Sequence, residues 1–209
     1  MEIKICGMAS EINIREIIAA CNPDYLGLIF HTPSPRNAIA LPLSQEIGSR
    51  PRKGFVGVFV DKEEDEIIEY VRRYRLTAVQ LHGSESPELC MRLRKRGFFK
   101  VWKAVGIESA DDFQRLEQYA GCVDRFVFDR KSPSHGGTGV KFDWRMLSHY
   151  NGEVDFMLGG GIGPDDDAEI LRISHPRLAG LDLNSCFEVV PGVKNSKSLE
   201  SFIRKIRSK

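Results

Sequence analysis

The stretch Asp155-Phe156-Met157-Leu158-Gly159-Gly160-Gly161-Ile162-Gly163-Pro164 decides the fold. A short apolar run passes straight into glycines and then a proline. The run reads as a buried strand and the glycines as a tight turn. The proline falls near the first turn of a helix, where its missing N–H costs nothing. Ten residues thus spell one strand–turn–helix unit.

Working outward from it, the same signals recur along the whole chain. Candidate strands are Glu2–Ile5, Tyr25–Phe30, Phe55–Val60, Ala78–Leu81, Lys100–Val105, Arg125–Asp129, Asp155–Leu158 and Gly180–Leu183. Stretches with helical periodicity separate them. Their apolar stripes are Ile12, Ile14, Ile17 and Ile18; Ile67, Ile68 and Val71; Leu89 and Leu93; Phe113 and Leu116; Ile170, Leu171 and Ile173; and Leu199, Phe202, Ile203 and Ile206. Ser86-Pro87 opens one helix, and Asn195 is placed to cap the last. Strands alternating with helices indicate parallel βαβ units. Eight of them predict an α/β protein with one closed (β/α)8 barrel, a single domain over residues 1–209.

Composition agrees and excludes other classes. The 209 residues are 42% apolar, and 30 basic side chains balance 29 acidic ones. No basic block interleaved with aromatics suggests a nucleic-acid partner. No apolar run approaches a membrane span or the core of a signal peptide, so a cytoplasmic protein is expected. The five cysteines, Cys6, Cys21, Cys90, Cys122 and Cys186, show no metal-binding spacing. In a reducing compartment each is by default a small packed residue.

In a barrel of this kind the chemistry lies on the loops after the strands. Two of those loops suggest phosphate: Gly159-Gly160-Gly161 after strand seven and Asn184-Ser185 after strand eight. Glycine lets backbone N–H groups approach an anion. A helix starting near Pro164, and a short extra helix after strand eight, would add positive N-terminal ends. A glycine run alone is more often only a turn; the matching second loop favours phosphate. Cys6 closes strand one and is either a packed thiol or a base. As a base it needs a pKa below the ordinary thiol value. Lys4, two residues earlier on the same face, either assists it or sits in an ion pair within the barrel. Asp129 ends strand six after an apolar run, where desolvation can make a carboxyl hold its proton as a general acid; the alternative is an N-cap or a loop salt bridge. Arg36 sits on a proline-stiffened loop, as a carboxylate clamp or as a surface arginine. Gln80 and His82 line the mouth, His82 more as wall than as catalyst. The glycine-rich segment 134–139 is either a cover over the site or a plain surface loop.

These residues, with their neighbours, resemble the phosphoribosylanthranilate isomerase family. The resemblance is carried by Lys4-Ile5-Cys6-Gly7, Ser34-Pro35-Arg36, Val79-Gln80-Leu81-His82-Gly83, Asp129, Gly136-Gly137-Thr138-Gly139 with Phe142-Asp143-Trp144, Gly160-Gly161-Ile162, and Gly180-Leu181-Asp182-Leu183-Asn184-Ser185 with Glu188 and Pro191-Gly192-Val193-Lys194. The matches fall in order over nearly the whole chain. Asp166 stands where many members carry asparagine, and Asn195 where aspartate is usual.

The resemblance implies a TIM barrel that isomerises a small phosphorylated substrate by an Amadori rearrangement, in tryptophan biosynthesis, as a monomer or homodimer. It implies Cys6 as general base, Asp129 as general acid, Arg36 as clamp for the anthranilate carboxylate, and the loops at Gly160-Gly161 and Asn184-Ser185 as the phosphate site. It implies no metal and no organic cofactor. Three rivals stand beside it. The sister isomerase of histidine biosynthesis carries aspartate, not cysteine, after strand one. A Schiff-base aldolase would use Lys103. A non-catalytic phospho-sugar binder would need only the two phosphate loops.

Overall fold

A computed structural model describes residues 1–42, 51–130 and 141–208. Eight parallel strands close a barrel in sequence order: β1 (Glu2–Ile5), β2 (Tyr25–Ile29), β3 (Gly54–Phe59), β4 (Ala78–Leu81), β5 (Lys100–Ile107), β6 (Arg125–Arg130), β7 (Phe156–Leu158) and β8 (Leu178–Leu183). Closure comes from β1 against β8, running from Glu2 opposite Gly180 to Ile5 opposite Leu183. All eight expected strands are present. Their ends differ by a few residues: β5 and β6 run further, and β8 starts two residues earlier.

Apolar side chains fill both faces of the strands, which explains the unbroken hydrophobic runs. One face packs a small inner core of Val56, Ala78, Trp102, Ala104, Val127 and Met157. The other packs against surrounding helices in a larger cluster that includes Ile3, Leu28, Phe59, Leu81, Phe128 and Leu158. Charge plugs the amino end of the barrel: Glu2 pairs with Lys53 and Arg125, and Arg125 lies 5.1 Å over the Trp102 ring.

The surrounding helices are α1 (Glu11–Cys21), α2 (Glu64–Tyr74), α3 (Pro87–Lys95), α4 (Asp111–Gln114), α5 (Asp167–Ile170) and α6 (Ser196–Arg207). Ser10, Ser86 and Asn195 accept backbone N–H bonds at the starts of α1, α3 and α6. Asparagine at 195 therefore caps as the usual aspartate would. Two expectations need correction. Ile12 is 82% exposed, because α1 buries the positions 14, 17, 18 and 21. Pro164 does not open a helix: it lies in a turn, and α5 begins only at Asp167. After β8 a short 3-10 turn (Ser185–Phe187) leads into a hairpin of β9 (Glu188–Val190) and β10 (Val193–Lys194). No described helix is long and apolar enough to cross a membrane.

Candidate active site

The carboxyl ends of β1 and β6 carry Cys6 and Asp129 to one mouth of the barrel. Between them sits a buried ion pair: the Lys4 ammonium donates to both carboxylate oxygens of Asp182 at 2.8 Å. Lys4 and Asp182 face each other across the β1–β8 register. Both open readings of Lys4 hold together, since it is ion-paired within the barrel and also acts on the Cys6 thiol by charge and hydrogen bonding.

Cys6 is buried, yet it belongs to neither apolar cluster, unlike Cys21, Cys90 and Cys122. Its surroundings are Lys4, Asp182 and Lys194. Burial pushes its thiol above the ordinary value of 9.0, with Lys4 pulling the other way. The expected depressed thiol is therefore not found in the free protein, because desolvation outweighs the nearby cations. Gly27 on β2 gives the sulfur its room: a Cβ there would lie 2.7 Å from Sγ.

Asp129 behaves as expected of an acid. Burial raises its carboxyl from 3.8 to about 6, against the Arg130 backbone N–H, which donates to Oδ1 at 2.7 Å. It is that N–H, not the Arg130 guanidinium, which opposes the shift. The His82 Nε2 stands 3.8 Å from the other oxygen. Gln80 Nε2 lies 3.2 Å from His82 Nδ1. The contact ties the imidazole to a buried amide, with Nε2 on the side of Asp129. Gln80 is fully buried, and among the described residues its Oε1 has no partner, a costly state unless a ligand supplies a donor.

The two glycine-and-amide loops lie beside this pair. Gly160 has φ 76°, and a Cβ there would stand 2.7 Å from both Arg130 N and Asp129 Oδ1. No backbone hydrogen bond within the described residues engages the amides of Gly160, Gly161, Ser185 or Cys186. The Gly163 N–H is taken by Asp166 Oδ2 at 2.6 Å, and Lys141 neutralises that carboxylate. The acid at 166 thus faces its own loop and a lysine. Across the mouth, Arg36 does not wave in solvent: its Nε and Nη2 grip the Glu188 carboxylate at 2.7–3.0 Å. The segment 134–139 lies outside the described residues.

The Lys103 reading fails on geometry. Its ammonium donates to the carbonyls of Leu81, Gly83 and Ala104 and to Glu85, all at 2.9–3.2 Å, and is saturated.

A family profile described as N-(5'phosphoribosyl)anthranilate (PRA) isomerase matches residues 3–205. The chain belongs to this family. A relative from Parabacteroides distasonis, named N-(5'-phosphoribosyl)anthranilate isomerase, is 42% identical and covers 99% of this chain and 93% of its own length. The solved isomerase from Thermotoga maritima superposes with a TM-score of 0.84 at 29% identity, covering 100% of both chains. Another solved member, in complex with reduced 1-(o-carboxyphenylamino)-1-deoxyribulose 5-phosphate, gives 0.80 at 27% identity with full coverage of both. Family membership removes the histidine-pathway and binding-protein readings, and the chain is an isomerase of the tryptophan-pathway type.

Local sequence reading missed two partners. The two are the Glu188–Lys194 pair and Asp182, all of which stand in the family motif without a role of their own. A charged residue at a strand position otherwise filled with aliphatic side chains was the available signal for Lys4–Asp182. Nothing local pairs Arg36 with a residue 152 positions away.

Proposed function

We propose that Asp129 and Cys6 are the acid and base of the family's reaction, which converts N-(5-phosphoribosyl)anthranilate to 1-(2-carboxyphenylamino)-1-deoxyribulose 5-phosphate. Asp129 donates its proton to the ribose ring oxygen. The C1′–O bond breaks, and the nitrogen lone pair forms an iminium. That cation acidifies the C2′–H, which the Cys6 thiolate removes. The C–H electrons become a C1′=C2′ bond and quench the charge on nitrogen. Loss of the C2′ hydroxyl proton and gain of one at C1′ complete the amino-ketose. The substrate's own nitrogen is the electron sink, so the chemistry calls for no metal or organic cofactor. General acid and base catalysis each contribute about 10²–10⁴-fold.

The observation that carries this reading is the shared Lys4–Asp182 pair, which acts on both Cys6 and Asp129. Both residues feel the field of one buried pair, and both stand at the carboxyl ends of barrel strands. A carboxyl raised to about 6 holds a transferable proton near neutrality. Burial keeps the thiol mostly protonated, so the ionised minority is the reacting base, and the iminium charge beside it favours that form. Arg36 binds the anthranilate carboxylate. The amides at Gly160, Gly161, Asn184 and Ser185 bind the phosphate, and Gln80 and His82 line the sugar pocket. A family member's complex with a reduced product analogue supports a ligand of this chemistry. The barrel works as one domain over residues 1–209 in the cytoplasm, as a monomer or a homodimer; the Thermotoga maritima member is dimeric.

A steady-state assay following loss of substrate anthranilate fluorescence tests this. Cys6→Ala and Asp129→Asn should each slow turnover by about a hundredfold or more, with circular dichroism unchanged. Near-normal turnover in either variant removes that residue's role.

A further inference from the structure

We infer that Glu188 is a positioning residue for the substrate-carboxylate clamp, holding Arg36 by one edge so that its other edge meets the ligand. The inference rests on the proposed role of Arg36. A guanidinium has two edges able to grip a carboxylate. Glu188 occupies the Nε/Nη2 edge, at 2.9 and 3.0 Å from Nε and 2.7 Å from Nη2. Among the described residues Nη1 has no protein partner, so the Nη1/Nη2 edge is open.

Glu188 cannot follow Arg36 outward. Its Oε1 also accepts from Lys194 Nζ at 2.6 Å and from the Gly192 N–H at 2.9 Å. Lys194 is fully buried, and its Nζ donates as well to Asn184 Oδ1 at 2.7 Å. The backbone of Lys194 is fixed to α1 by a reciprocal pair of bonds with Asn13. The carboxylate is thus a fixed anchor, and Arg36 is the part that is aimed. Charge points the same way. Two cations share one carboxylate, leaving one positive charge uncompensated in a cluster whose members are at most 13% exposed. Such a cluster calls for an anion. The bound aryl carboxylate supplies it at the open edge. Because Lys194 also holds Asn184, one hairpin fixes the distance between the carboxylate clamp and the phosphate loop after β8.

The test compares two substrates, phosphoribosylanthranilate and phosphoribosylaniline, which lacks the carboxylate. Glu188→Gln should raise KM for the first by about tenfold or more, and kcat by far less, since a charge-assisted clamp is lost. With phosphoribosylaniline the same variant should lose much less, only what its contact with Lys194 contributes. Arg36→Ala serves as reference: equal losses on both substrates would say that Arg36 is no carboxylate clamp, and the parent reading fails. If Arg36→Ala discriminates but Glu188→Gln harms both substrates alike, Glu188 is merely structural and the inference is overturned. Should Glu188→Gln not fold, the native protein still decides. With ¹⁵N-labelled arginine, the Arg36 Nε–H should remain protected from exchange when reduced 1-(o-carboxyphenylamino)-1-deoxyribulose 5-phosphate is bound. Loss of that protection means the ligand displaces Glu188, which equally refutes the inference.

Discussion

Asp129→Asn should make the protein more stable as it makes the enzyme inactive. The native carboxyl titrates at about 6 instead of 3.8, chiefly because burial penalises its charge. Its side chain is only 21% exposed, so little of that penalty is screened by solvent. Two pKa units correspond to about 3 kcal/mol. The sign follows from linkage. Below pH 3.8 the carboxyl is protonated folded or unfolded, and nothing is lost. Between 3.8 and 6 the unfolded chain releases its proton while the folded chain keeps it, so stability falls. Above 6 the full penalty of about 3 kcal/mol is present. Asparagine has the same shape, keeps an oxygen for the Arg130 N–H, and carries no charge. It should therefore gain up to about 3 kcal/mol at pH 7.5, or roughly 6–12 °C in Tm for a chain of this size. At pH 3.5 it should gain nothing. Denaturant unfolding of both proteins at the two pH values measures this, with turnover assayed in parallel. A variant no more stable at pH 7.5, or a gain equal at both pH values, would refute the account of Asp129 as a desolvated acid.

The remaining predictions concern kinetics. An acid raised to about 6 and a thiol pushed up by burial must react from the rarer protonation states, the acid protonated and the thiol ionised. The active form is then a minor one, yet its population is flat between the two titrations. The pH profile of kcat/KM should rise to a limb near 6, stay level, and fall only where the raised thiol titrates on the alkaline side; a single limb near neutrality would contradict it. Gly27→Ala should push against the Cys6 sulfur, since its Cβ would lie 2.7 Å from Sγ; kcat should drop about tenfold or more with a stability loss of about 1–3 kcal/mol. Gly160→Ala should weaken binding of the phosphorylated substrate and slow the acid step, because its Cβ would strike Asp129 and the Arg130 amide. Gly97→Ala is the control, with a similar φ of +79° but nothing nearer to its Cβ than the Lys95 carbonyl at 3.9 Å. Its cost should be backbone strain of about 1–2 kcal/mol and no change in kcat or KM.

What the sequence revealed follows from which interactions are local. The barrel strands were legible because both of their faces are buried, so Phe55 to Phe59 is apolar at every position but Gly57. Ser86-Pro87 and Asn195 were legible because capping acts over three residues. Ile12 was misjudged although the pattern held the answer: positions 14, 17, 18 and 21 share one helical face, and 12 does not. Pro164 failed for a different reason. Asp166 reaches back to the Gly163 N–H, holding the chain in a turn where a helix could have begun. The candidate residues were legible from their position at strand ends. Their state was not, because it depends on partners far away in the chain. Cys6 and Cys90 are both buried thiols, and only packing leaves Cys6 outside the apolar clusters and sets Cys90 within one.

That packing also answers how one pocket separates an acid from a base. The Lys4–Asp182 pair cannot do so alone. Asp182 raises both Asp129 and Cys6, and Lys4 lowers both, so the pair shifts the two groups in the same direction. What distinguishes them is local. Asp129 has the Arg130 N–H on one oxygen. Cys6 has hydrogen bonding from Lys4 and the charge of Lys194, neither of which acts in that way on Asp129. Lys194 in turn is held by Glu188, which also holds Arg36. The β9–β10 hairpin therefore connects the carboxylate clamp to the environment of the thiol. Filling that clamp with an anion adds negative charge beside the cations that stabilise the thiolate. In the pH profile of kcat, which reports the substrate complex, substrates bearing the carboxylate should then show a higher alkaline limb than phosphoribosylaniline, and identical limbs for the two would mean that clamp and base are electrostatically independent.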